Sequence, residues 1–197
     1  MPPYRLQAHK NREATKPVKT IQSVAIAAGF LLAGAAYAAA QTLAAGAALP
    51  QLRGETLLGN SLVLPDAAAG KAAFLTIGFS KKGGKNTRAW SERFAKDYGS
   101  QANLTSYSVA MLEDAPKILR GFIKAGIKKS VPPQAQNRFL IVTSDEAAWK
   151  KYLNVTDDDL AYVLLIDGNG RVVWRDQGAF EEKKYEALKA KLAGQAN

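Results

Sequence analysis

The side chains with the most chemical reach in this 197-residue chain fall in one short stretch: Lys81, Lys82, Lys85 and Arg88, set around Gly83, Gly84 and Asn86. Cations at that density, beside glycines that leave backbone N–H groups open, suit an anion or an acidic partner. The stretch precedes a helix, and cations at the positive end of a helix dipole are unfavourable unless a negative group compensates them. It is not a Walker phosphate loop. Gly84-Lys85 is followed by Asn86, the earlier glycine is missing at the required spacing, and the threonine comes one place late. Composition removes other chemistries. There is no cysteine, and the one histidine, His9, lies ahead of the fold, so zinc sites, haem ligation, disulfides, thiolate nucleophiles and Ser-His-Asp triads are excluded from it. An enzyme using Lys82, Lys85 or a carboxylate stays open. Asp157-Asp158-Asp159 and Asp167-Gly168-Asn169-Gly170 invite a calcium reading, but the twelfth loop position is Gly168 or Gly178, with no carboxylate to close the coordination. No catalytic residue, metal or cofactor is assigned.

Positioning these groups requires the elements around them. Ala72 to Phe79 is apolar enough for a buried strand; Ser80 to Thr87 reads as a loop; Trp90, Phe94 and Tyr98 then recur every four residues along an amphipathic helix that ends near Gly99. Leu104 to Leu112 is a second strand. Asp114 suits the cap of the next helix, with Ile118, Leu119, Phe122 and Ile123 on its buried face and Gly126 closing it. Ser130 to Asn137 is expected to be irregular, because Pro132 and Pro133 remove two backbone donors. Arg138 to Thr143 is a strand, Ser144 caps a helix with Trp149, Tyr152 and Leu153 inward, and Ala161 to Ile166 is a central strand. Asp167 to Gly170 turns the chain into Arg171 to Trp174, and Phe180 to Ala193 is the last helix. Ahead of them all, Leu52 to Leu64 reads as a hairpin turning at Gly59-Asn60. This alternation predicts an α/β sandwich: one mixed central sheet, helices on both faces, and an N-terminal hairpin.

The formal net charge is +10, to which residues 1–40 contribute Arg5, Lys10, Arg12, Lys16 and Lys19 against Glu13. A basic segment, then the apolar run Val24 to Ala40, then small residues, has the layout of an export signal or N-terminal membrane anchor. The expected organisation is residues 1–40 as that segment, 41–50 as linker and 51–193 as the folded domain. The domain is then exported, periplasmic or anchored facing the periplasm, with membrane association through residues 21–40. No aromatic and basic motif supports nucleic acid as a partner.

From about Leu49 to Leu192 the chain resembles an extracytoplasmic thioredoxin-like domain, with Gly78-Phe79-Ser80 ending the first core strand and LLIDGNGRVVW (Leu164–Trp174) forming the hairpin. The resemblance implies that the paired redox cysteines fall on Gly83 and Asn86 and the family's cis-proline on Ala161. Thiol exchange is therefore excluded. The peptide before Ala161 is expected to be trans, since a cis bond to a non-proline residue costs about 2.5 to 4 kcal/mol. Within that superfamily, SVPPQAQNRFLIV (Ser130–Val142) and AYVLLIDGNGRVVW (Ala161–Trp174) resemble the mitochondrial F-type ATP synthase assembly factor family called subunit ten. That likeness implies a non-redox protein that helps assemble the membrane-embedded proton channel. The expected function is a non-catalytic thioredoxin-fold protein that binds a protein client, as an assembly factor or chaperone for a membrane complex. Its alternatives are a non-thiol enzyme in the former redox groove and an anion-binding structural module. The expected contact residues are Lys81, Lys82, Gly83, Gly84, Lys85, Asn86 and Arg88.

Overall fold

A strand covered on both faces needs an apolar side chain at nearly every position, because neither face meets water. Ala72–Gly78 (β3) and Ala161–Ile166 (β6) meet that condition. In the computed structural model, which describes residues 46–194, they pair antiparallel inside a seven-stranded sheet. The chain order is β1 (Leu52–Thr56), β2 (Ser61–Leu64), β3, α1 (Lys81–Tyr98), β4 (Leu104–Met111), α2 (Lys117–Ser130), β5 (Phe139–Val142), α3 (Glu146–Leu153), β6, β7 (Val172–Gln177) and α4 (Glu182–Ala193). Across the sheet the order is β2-β1-β5-β4-β3-β6-β7; β4 lies parallel to both β3 and β5, and the other pairs are antiparallel. This is the expected mixed sheet with helices on both faces. The hairpin turns where expected, at Gly59, whose φ of +92° suits a residue without a Cβ.

Alternation along β3 splits the core in two. Phe74 joins Trp90 and Phe94 of α1, Val163 and Leu165 of β6, and Tyr185 and Leu188 of α4 on one face. Leu75 and Ile77 join Val109, Met111, Leu140, Val142, Tyr162, Trp149 and Leu153 on the other. Phe74 stacks on Phe94 with ring centroids 4.7 Å apart, and the Trp90 indole N–H donates to the Gly178 carbonyl at 3.2 Å, so the largest buried ring keeps its polar atom satisfied.

The structure corrects the sequence reading at several boundaries. Ser80 to Thr87 is not a loop: α1 starts at Lys81 because the Ser80 hydroxyl accepts the N–H groups of Lys82 and Gly83. Asp114 does not cap α2, since Pro116 precedes the helix and the Asp114 carboxylate reaches Lys150 instead. Gly126 does not end α2, which runs on to Ser130 before Pro132; Pro133–Arg138 then forms a short 3-10 helix. Ser144 does not cap α3. Asp145 holds that place with φ +62°, its turn carrying the Glu146 carboxylate inward to accept the N–H groups of Glu113 and Asp114. The strand after the Asp167 turn continues beyond Trp174 to Gln177, and α4 begins at Glu182.

The largest correction concerns α2. None of its residues is buried; Ile118 is 81 % exposed, Phe122 77 % and Leu119 47 %. The strands it joins are already covered, β4 by Ser91 of α1 on one face and both strands by Trp149 and Leu153 of α3 on the other. Polar ties hold α2 instead: Arg120 donates to the carbonyls of Glu113 and Ala115, and Lys124 pairs with Glu55 at 2.5 Å. Among the described residues no helix is long and apolar enough to cross a membrane. The apolar run Val24 to Ala40, His9 and the first half of the 41–50 linker, residues 41–45, lie outside the described residues.

Candidate functional site

The basic stretch forms the first two turns of α1, under the chain leaving α3 for β6. Ser80 links the two. Its hydroxyl caps α1 and donates to Asp159 Oδ1 at 2.7 Å, while Lys82 Nζ lies 3.3 Å from Asp159 Oδ2. Asp159 is thus the negative group that the helix end and its cations require, supplied from within the chain. The Ser80 hydrogen bond, then Lys82, holds its carboxyl below the usual carboxylate range.

Gly83 and Asn86 are both occupied with the same segment. A Cβ on Gly83 would lie 2.7 Å from the Asp158 carbonyl oxygen and 3.0 Å from that of Leu160. Asn86 Nδ2 donates to the Asp159 carbonyl at 2.9 Å. Ala161 follows directly, paired with Gly78 across the β3–β6 ladder. Its preceding peptide is trans, as expected; the cis bond among the described residues joins Leu64 to Pro65. Asp158 to Leu160 therefore packs directly against Gly83 and Asn86 and leads into Ala161. Gly78 permits the approach from the sheet side, since a Cβ there would lie 3.1 Å from the Gly84 nitrogen.

The segment is held from below as well. Lys150 Nζ lies 2.9 Å from Asp158 Oδ2, 2.9 Å from Asp114 Oδ2 and 3.2 Å from Glu146 Oε1, and 5.6 Å from the centroid of the Phe79 ring. Burial pulls its pKa down, but hydrogen bonds to Asp114 and Asp158 and the charge of the Glu146 carboxylate hold the ammonium above its ordinary range, and Lys150 lowers Asp114 in turn. Glu146 Oε1 is buried with no hydrogen bond, so Lys150 is its one compensation. The acidic run that suggested calcium divides its carboxylates. Asp157 accepts the Asp159 N–H, Asp158 takes Lys150, and Asp159 takes Ser80 and Lys82. Asp167 accepts the N–H groups of Asn169 and Arg171, stabilising its own turn.

Of the expected contact residues, Lys81, Lys82, Gly84, Lys85 and Arg88 are exposed, Asn86 is half-buried and Gly83 is buried. Arg88 pairs with Glu92 at 2.6 Å. Lys81 and Lys85 make no ion pair among the described residues and remain the cations turned outward. The sequence reading missed Ser80 and Asp159. A serine followed by the start of a helix is a legible cap signal, whereas nothing local ties Ser80 to a carboxylate 79 residues away.

The family described as ATP10 protein matches residues 39–194. No curated protein sequence matches the chain. Among solved structures, the Chlorobium tepidum protein described as thiol:disulfide interchange protein DsbE superposes with a TM-score of 0.58 at 17% identity, covering 79% of this chain and 99% of that one. The thioredoxin domain of the Bacteroides vulgatus thiol-disulfide oxidoreductase gives 0.56 at 19% identity, over 75% and 97%. The exposed lipoprotein thioredoxin of Streptococcus pneumoniae gives 0.52 at 15%, over 72% and 99%. At these identities the likeness is one of fold: the sheet and its helices are thioredoxin-like, in a chain with no cysteine.

Proposed function

The chain belongs to the ATP10 protein family, and from that premise we propose that it is an ATP synthase assembly factor that holds a protein client and catalyses no reaction of its own. What supports this reading is the packing at the expected redox positions: Gly83 and Asn86 both contact Asp158 to Leu160, and neither carries a group that could react with a thiol or disulfide. The face left beside it is basic, with Lys81 and Lys85 outward, and suits an acidic protein surface. The domain of residues 51–193 acts outside the cytoplasm, brought to the membrane by residues 1–40, on a subunit of a membrane complex and not on nucleic acid.

A photocrosslinking amino acid at position 81 or 85, activated in intact membranes, is expected to yield a specific adduct with an ATP synthase subunit. The same residue at Ala187, exposed on α4, is expected to yield none. If positions 81 and 85 give no adduct while the protein accumulates normally, the reading is wrong.

A further inference from the structure

Among the described residues, the large apolar side chains left exposed are Leu58, Ile118, Leu119 and Phe122, and three of these four lie on α2. At 3.6 residues per turn, Ile118, Phe122 and Ala125 share one strip about 60° wide, with Leu119 beside it. The half-buried Ile123 and Ile127 and the anchored Arg120 and Lys124 take the side facing the body. Lys117 and Lys128 lie along one edge of the strip, opposite Leu119, Lys129 ends it, and Lys117 to Ser130 contains no acidic residue. The nearby carboxylates are already engaged: Glu55 with Lys124, Glu113 with the Glu146 N–H, and Asp114 with Lys150.

We propose that α2 is an interfacial membrane contact, its outward strip lying among the headgroups of an anionic phospholipid bilayer with Lys117, Lys128 and Lys129 on the lipid phosphates. An aromatic and branched apolar strip bordered by lysines is what such a surface takes up, the apolar side chains entering the acyl boundary and the ammonium groups staying at headgroup level. Charge selects this occupant. A second copy would set the outward Lys117, Lys128 and Lys129 against the same three, and the chain's own N-terminal segment would bring Arg5, Lys10, Arg12, Lys16 and Lys19, against the single Glu13, to the same helix. A bilayer carrying phosphatidylglycerol reverses the sign. The strip is remote in sequence from the α1 cations, so this contact holds or fails independently of the client.

The absence of cysteine lets a single one report locally. In the full-length chain, Ala125→Cys carrying a polarity-sensitive fluorophore is compared with Ala187→Cys on α4, also exposed. Phosphatidylcholine vesicles containing phosphatidylglycerol are expected to shift the emission at 125 to the blue, and spin-labelled lipid to quench it, with no change at 187. Partitioning is expected to fall about fivefold for each lysine neutralised, and so about a hundredfold for K117Q, K128Q and K129Q together, and roughly tenfold for Phe122→Ser. All four residues are exposed, so melting temperatures should hold; Phe122→Ser decides the matter if the triple variant does not fold. No shift at 125, an equal shift at 187, an equal response to pure phosphatidylcholine, or a response to an acidic protein and not to lipid would each overturn the proposal.

Discussion

Two adjacent glycines in α1 separate a need for space from a tolerance of flexibility. Gly83 is buried against the carbonyls of Asp158 and Leu160, whereas a Cβ on Gly84 would meet nothing within 4 Å. Gly84→Ala is expected to stabilise the fold by up to about 1 kcal/mol, the usual gain of alanine over glycine inside a helix. Gly83→Ala is expected to cost about 1 to 3 kcal/mol, since backbone must shift to admit the methyl group. Urea unfolding of both variants checks the pair, and equal effects would contradict the packing described. At this scale the sequence was half legible. The types at 81–88 marked the place, but which glycine is compressed depends on a segment some 75 residues later. The reading of Ser80 to Thr87 as a loop failed because the Ser80 hydroxyl caps α1 and starts the helix at Lys81.

Among the elements, α1 and α2 had the same apparent credentials and met different fates. Both show apolar residues at helical spacing. In α1, Trp90 and Phe94 found Phe74, Tyr185 and Leu188; in α2, Ile118 and Phe122 found no partner. Periodicity shows that a helix has an apolar face, not that a surface remains to cover it. For β4 that cover was already supplied by α1 and α3, and for β5 by α3 on one face. Amide hydrogen exchange of the chain in solution is expected to protect α1 near the level of global unfolding and α2 far less, because local opening of α2 exposes almost no new apolar area. Comparable protection in the two helices would mean that α2 is covered after all. The strands were more readable, since the unbroken apolar runs of β3 and β6 left no alternative to a doubly covered position. Only the extension of β7 past Trp174, through the polar Arg175 to Gln177, escaped a reading based on hydrophobicity.

At the scale of the molecule, three carboxyls among the described residues are held below their ordinary range by partners from other parts of the chain or helix: Asp97 by Arg93, Asp114 by Lys150, and Asp159 by Ser80 and Lys82. Each binds a proton less readily folded than unfolded. Its contribution is therefore complete above the unfolded pKa, about 4, and drains away as pH falls toward the lower folded value. Melting curves are expected to place Asp159→Asn below the parent at pH 7 and to bring the two together under strong acid. A gap that persists or widens there would show that Asp159 acts through something other than its charge. The close seating of Asp158 to Leu160 against α1 also bears on what can be built there. A cysteine placed at position 83 would set its Cβ against the Asp158 carbonyl before any second sulfur existed to work with it, so a thiol pair introduced one residue at a time would lose stability at the first step. The seating works as a ratchet against adding thiol chemistry to this helix end.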